Sequence, residues 1–225
     1  MELTLMHPHL PDVNEREVMR YAGVRGECDR QTKLLMEKAV TCSQDALSPE
    51  IGYRRVPLEV YADRVCMEGL VLSSRSLARH VAGCREAVVF AASLGMELDH
   101  RIRRESVRNK ALGLMLNALG AERIEAVCDQ LEEALRGKGD RLVSRFSPGY
   151  GDLPLETQRD IFAFLQCEKY MHIHLTESLM MIPSKSVTAI IGILGEHGET
   201  TTGASACRTC TLADCAFRRE TVCAH

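Results

Sequence analysis

Gly52-Tyr-Arg-Arg-Val-Pro-Leu-Glu-Val60 and, after a short connection, Val65-Cys-Met-Glu-Gly-Leu-Val-Leu72 decide the fold. Together the two runs are rich in Val and Leu, with Tyr53 in the first, so they read as two strands of a hairpin or meander. Upstream, Asn14 can cap a short helix through Tyr21, Gly23 and Gly26 make a break, and Asp29 can cap a helix to about Ala46. Residues 1–12 read as irregular, because His7, Pro8, His9 and Pro11 interrupt any periodicity. Downstream, Ser73 or Ser74 can cap a helix over residues 77–82, and the apolar run 87–93 suits a buried strand. Helical patterning dominates residues 96–136, where Gly113 and Gly120 weaken it, so one bent helix or two fit equally. Gly137 and Gly139 end that stretch. A strand leads into Arg145, an amphipathic helix covers 156–167, and strands near 172–175 and 187–194 complete a sheet. Strands and helices mix without a regular βαβ alternation. The expected class is therefore α+β, a mixed or antiparallel twisted sheet with flanking helices.

The chain of 225 residues is 45% hydrophobic and 26% charged, an ordinary globular composition. Its net charge of -3 gives no general pull toward nucleic acid. No apolar run approaches the roughly eighteen residues a membrane span needs, and the polar N-terminus lacks a signal-peptide core, so a cytoplasmic protein with no membrane partner is expected. Six of the ten cysteines (Cys28, Cys42, Cys66, Cys84, Cys128 and Cys167) are scattered through apolar or helical patterns. In a reducing compartment they read as small buried hydrophobes.

Two further segments carry chemistry. Arg145-Phe-Ser-Pro-Gly-Tyr-Gly-Asp-Leu-Pro154 is a turn led by an arginine and stiffened by two prolines. Gly149 and Gly151 let its backbone take φ > 0 or approach a ligand closely. An Arg at such a mouth can hold a carboxylate in a forked, charge-assisted pair worth roughly 1.5–3 kcal/mol, which points to a small zwitterionic ligand. Each residue also has a plainer reading: Arg145 in a surface ion pair, Tyr150 as a turn tyrosine, and Met180, Met181 and Ile182 of the second segment as core packing.

R-x-x-x-G-Y-x-x-x-P over Arg145 to Pro154, followed by L-T-E-S-x-x-M-x-P-x-x-S-V over Leu175 to Val187, resembles the activation domain of cobalamin-dependent methionine synthase. Arg20-Tyr-Ala-Gly23 and Phe90-Ala-Ala-Ser-Leu-Gly95 echo it more weakly. The resemblance covers most of residues 1–195, which it implies form one domain binding S-adenosylmethionine (AdoMet). It implies that Arg145 meets the methionyl carboxylate, and that Ser147, Gly149, Tyr150 and Gly151 line the ligand. Glu133 on the preceding helix, or Glu177 in L-T-E-S, would balance the cationic end, although Glu133 reads equally well as part of a solvated charged face with Asp129, Glu132 and Arg136. Met181, Pro183, Ser184 and Ser186 would face a corrinoid. Two features depart from the family pattern: no aromatic- and proline-rich acidic segment precedes Arg20, and the strand after Val187 runs into Gly195-Glu-His-Gly198 with no tyrosine.

Residues 196–225 read as a flexible linker and a cysteine-rich tail. Cys207, Cys210, Cys215 and Cys223 are spaced C-x-x-C, C-x(4)-C and C-x(7)-C, with His225 a possible substitute for Cys223. Four thiolates so spaced suit an iron–sulfur cluster or zinc, and the alternative is a metal-free tail.

The function the resemblance implies is support of reductive methylation of inactive cob(II)alamin on a separate, short methionine synthase or its corrinoid domain. The chain would then be an accessory component of that methyltransferase in methionine biosynthesis. The partner would supply cobalamin, and a flavodoxin or ferredoxin the electron. The D-x-H-x-x-G motif of corrinoid carriers is absent from these residues. Two rivals remain: a metal or iron–sulfur redox protein working through the tail, and a non-catalytic docking protein for a corrinoid methyltransferase.

Overall fold

Strand β2 (Glu50–Val60) is long enough to take partners on both edges. On one edge lies β5 (Cys84–Ser93), paired from Glu50 to Pro57. The other edge is shared by β1 (Thr4–Met6), opposite Ile51 to Tyr53, and β3 (Arg64–Met67), opposite Leu58 to Val60. With β4 (Leu70–Ser73) beyond β3 and β8 (Ser186–Leu194) beyond β5, the order is β4-β3-β2-β5-β8, antiparallel throughout. This is an α+β fold with an antiparallel sheet and flanking helices. The computed structural model describes residues 2–24 and 28–195; the expected break at Gly26 and the tail 196–225 lie outside the described residues.

The helices begin where polar caps permit. Asn14 accepts the Glu17 amide at the start of α1 (Glu15–Tyr21), Asp29 the Thr32 amide at α2 (Arg30–Ser43), and Ser74 the Leu77 amide at α3 (Arg75–His80). The stretch 96–136 is two helices, α4 (Met96–Arg108) and α5 (Lys110–Gly137). They break at Asn109, whose side chain caps the Leu112 amide, and not at either glycine. Gly113 and Gly120 are points of close approach: a Cβ on Gly113 would stand 2.7 Å from the Ser106 Cα, and one on Gly120 would stand 3.0 Å from Leu98.

Alternate residues of β5 explain its unbroken apolar run. Val88, Phe90 and Ala92 pack on one face against Ile124, Val127, Cys128 and Leu131 of α5. Ala87, Val89 and Ala91 pack on the other against Leu77 and, from α6 (Gln158–Leu165), Ile161, Phe162 and Leu165. A sheet covered on both faces needs apolar residues at every position. A third cluster joins Val18, Met36 and Ala39 of α1 and α2 to Leu112, Met115 and Leu119 of α5.

Several expected elements differ. Residues 65–72 are not one strand, because the chain turns at Gly69 with φ +77° and pairs Met67 with Leu70. β1 arises in the stretch expected to be irregular; it lies just ahead of the prolines and is too short to show a period. No strand leads into Arg145, only isolated bridges from Leu142 to Ile193 and Phe146 to Ile190. The helix expected over 156–167 is a 3-10 turn (Leu155–Thr157) and α6. Gln166 at φ +53° then separates α6 from α7 (Cys167–Tyr170). β6 (His174–Leu175) pairs only with β7 (Met181–Ile182) as a separate ribbon. Among the described residues no helix is long and apolar enough to cross a membrane.

Candidate functional site

The Arg145 guanidinium meets three carboxylates of α5. Its Nη1 stands 2.8 Å from Asp129 and 3.1 Å from Glu132, and its Nη2 3.1 Å from Glu125. Spacing of i, i+4 and i+7 puts these acids on one stripe of the helix, opposite the segment that enters the turn. Burial works against the charge on Arg145, but the groups around it (Cys128, Glu132, Asp129 and Glu125) outweigh that and hold it above its ordinary value. Burial also pushes the neighbouring Cys128 thiol up to about 12, leaving it protonated at neutral pH. Glu132 is the inner acid, 12% exposed, and also takes Arg136; Asp129 is the outer one, 59% exposed.

Beside Glu125 and Asp129 a cleft of about 260 Å³ opens between α1 and α5, lined also by Asn14, Glu17, Tyr21, Glu122 and Ala126. Its α1 wall is set by a buried pair. Glu122 and Arg123 bond each other, Glu122 accepts the Asn14 amide, and Arg123 donates to the Pro11 and Asp12 carbonyls.

The turn after Arg145 is fastened to α3. The Asp152 carboxylate accepts from the Ser74 hydroxyl and from the Ser76 and Arg75 amides. Those bonds, Ser74 first, hold it well below the usual carboxylate range. Gly149 and Gly151 have φ +88° and +56°, the left-handed region that favours glycine. Between them Tyr150 is exposed, its ring edge-on to Phe146 at 5.9 Å, and Phe146 in turn meets His80. Ser147 is half-buried, and its carbonyl accepts the Tyr150 amide.

The second segment sits on α4 and α5. The Ser184 amide and hydroxyl both donate to Asp99, at 2.6 and 2.7 Å, and Lys185 Nζ donates to Asn117 at 2.8 Å. Burial lowers the Lys185 ammonium. Ser186 donates to Ser93, Pro183 is buried and Met181 is half-buried, while Met180 and Ile182 are exposed.

The fold thus gathers Arg145, Ser147, Gly149, Tyr150 and Gly151 on one turn, and Met181, Pro183, Ser184 and Ser186 on one loop. Glu133 is exposed and accepts from Gln130, one position beyond the stripe that reaches Arg145. Glu177 is exposed, and its carbonyl takes Arg159. Sequence reasoning missed Glu125 altogether and assigned Asp129 and Glu132 only to a solvated run. Their i, i+4, i+7 spacing ahead of Arg145 was the available signal. Among the described residues no group of three or more His, Cys, Asp or Glu could hold a metal; Cys207, Cys210, Cys215 and Cys223 lie outside them.

A family model described as the vitamin B12 dependent methionine synthase activation domain matches residues 76–200. Among solved structures, the crystal structure of the MetH reactivation domain bound to AdoHcy is similar in fold, with a TM-score of 0.63 and 16% sequence identity. The match covers 85% of this chain and 78% of that one. No curated protein matches the chain.

Proposed function

Because the chain belongs to the family of activation domains of vitamin B12-dependent methionine synthase, we propose that it binds AdoMet at Arg145 and presents it to a corrinoid protein for reactivation. The observation that carries this reading is the charge around Arg145. Two cations, Arg145 and Arg136, stand against three anions, Glu125, Asp129 and Glu132. AdoMet brings a carboxylate, an ammonium and a sulfonium, a net charge of +1 that complements this surplus.

In this reading the ligand carboxylate takes the Arg145 fork and displaces Asp129, the most exposed of its acids. Glu125 and Asp129 then stand beside the ligand's cationic groups, a role for which Glu133 and Glu177 are poorly placed. Gly149 and Gly151 bring bare backbone to the ligand, Ser147 lines it and Tyr150 covers it. The loop of Met181, Pro183, Ser184 and Ser186 faces the corrinoid, which the partner supplies. Methyl transfer from AdoMet to reduced cobalt leaves AdoHcy and draws an uphill one-electron reduction forward. The protein's part is positioning and exclusion of water, with no covalent intermediate on its side chains. The electron comes from a separate donor of the flavodoxin or ferredoxin kind, and the partner is a separate methionine synthase.

Calorimetric titration with AdoMet under anaerobic conditions, wild type beside Arg145→Ala, tests the reading. Saturable binding that the variant loses supports it. A folded wild type that stays silent, alone and with a corrinoid methionine synthase present, refutes it.

A further inference from the structure

Val107 is 86% exposed and Leu114 58%, large apolar side chains in water on two well-packed helices. Their relation follows from the α4–α5 seam. Gly113 lies against Ser106 and Gly120 against Leu98, so the helices run antiparallel in close contact. One residue past the Ser106–Gly113 contact, each helix has turned by about 100°. Because the helices run in opposite senses, both turns bring Val107 and Leu114 out on the same side of the seam. One helical turn away on that side stand Arg103, next to Val107, and Lys110 and Asn117, next to Leu114. Arg103 and Lys110 are exposed and have no ion-pair partner among the described residues. The loop of Ser184 and Lys185 lies on this same side, since those residues bond Asp99 and Asn117.

The result is one continuous strip. It starts at Lys185 and Asn117 and ends at Leu114 and Val107 between the free cations Arg103 and Lys110. An apolar centre with a charged rim is the anatomy of a protein interface, and a rim of one sign selects its opposite. We propose that the α4–α5 strip docks an acidic surface of the corrinoid-carrying partner, extending the contact made by the 180–186 loop. This rests on the function proposed above and adds the partner's charge to it. Carboxylates of the partner meet Arg103 and Lys110, and a small apolar patch between them covers Val107 and Leu114. The same rim steers the encounter, so association weakens with salt.

The test is association of the chain with a short cobalamin-dependent methionine synthase, measured by biolayer interferometry at low and high salt. The variants are Arg103→Glu with Lys110→Glu, and separately Val107→Asp. The three substituted side chains are on the surface, and thermal melts together with AdoMet titration verify that each variant is folded. The expected result is association weakened about tenfold or more by the double reversal, and also lost in high salt, with AdoMet affinity unchanged. Wild-type association that survives both variants overturns the strip and leaves the proposed function standing. A wild type that binds AdoMet yet never associates overturns the corrinoid-partner reading, and the strip falls with it.

Discussion

The Asp129 carboxylate stands 2.8 Å from the Arg145 guanidinium, so the anchor proposed for a ligand carboxylate is already occupied by one from the protein. Glu132 shares the same Nη1 at 3.1 Å but is far less exposed. The two acids therefore differ in what they can give up. An exposed pair contributes about 0–1 kcal/mol, so Asp129→Asn should unfold in urea close to the wild type. Glu132→Gln should cost more, about 1–3 kcal/mol, because it removes a largely buried acceptor from both Arg145 and Arg136. Equal costs in the two urea curves would mean that Arg145 has no inner and outer partner.

Asp152 gives a pH prediction with a definite sign. Its folded carboxyl is held well below the ordinary range by Ser74, Ser76 and Arg75, so its contribution is fully present above the unfolded value, about 3.9. That contribution declines as pH falls from there toward the lower folded value. Asp152→Asn should melt below the wild type at pH 7, and the gap should narrow in melts taken between pH 4 and pH 2. A gap that stays constant with pH would show that the carboxylate's charge is irrelevant to fastening the turn on α3.

Gly149 and Gly151 both have positive φ, yet they should not respond alike. A Cβ on Gly149 meets only Leu155 at 3.7 Å, so Gly149→Ala should cost the backbone term alone, roughly 1 kcal/mol. A Cβ on Gly151 would stand 2.6 Å from that of Ser76, at the point where Asp152 fastens the turn to α3. Gly151→Ala should therefore be clearly the less stable in urea, and it should disturb the Tyr150 turn as well. Equal midpoints would place the two glycines in equally open surroundings.

Much of this was legible in the sequence, because caps and apolar runs are local signals. Asn14, Asp29 and Ser74 cap where their chemistry allows, and residues 87–93 advertise a strand buried on both faces. The turn of Arg145 and the loop of Ser184 also stood out. The rest depends on tertiary contact. In the sequence Gly113 and Gly120 only weaken the helical pattern, yet one faces Ser106 and the other Leu98 across the α4–α5 seam, where a missing Cβ favours packing. β1 is only three residues long and is defined by Gly52 and its neighbours across the sheet. Glu133 and Glu132 are indistinguishable by composition; a single step of helical rotation decides which one meets Arg145.

Glu122 and Arg123, 5% and 3% exposed, form a buried pair whose loss tests how the α1 wall of the cleft is held. Removing one member strands the other's charge, at a cost of about 3–5 kcal/mol, so Glu122→Leu should be strongly destabilised in urea. Adding Arg123→Met removes the stranded charge and should recover part of the loss. Recovery should remain incomplete, because Arg123 also donates to the Pro11 and Asp12 carbonyls and Glu122 accepts the Asn14 amide. Asn14 caps α1, whose Glu17 and Tyr21 line the cleft beside Glu125, so the effect should travel. Hydrogen exchange should rise first in residues 11–21 of the double variant, and AdoMet affinity should fall at a temperature where the sheet remains folded. If the single variant matches the wild type in urea and in exchange, the buried pair has no part in shaping the site.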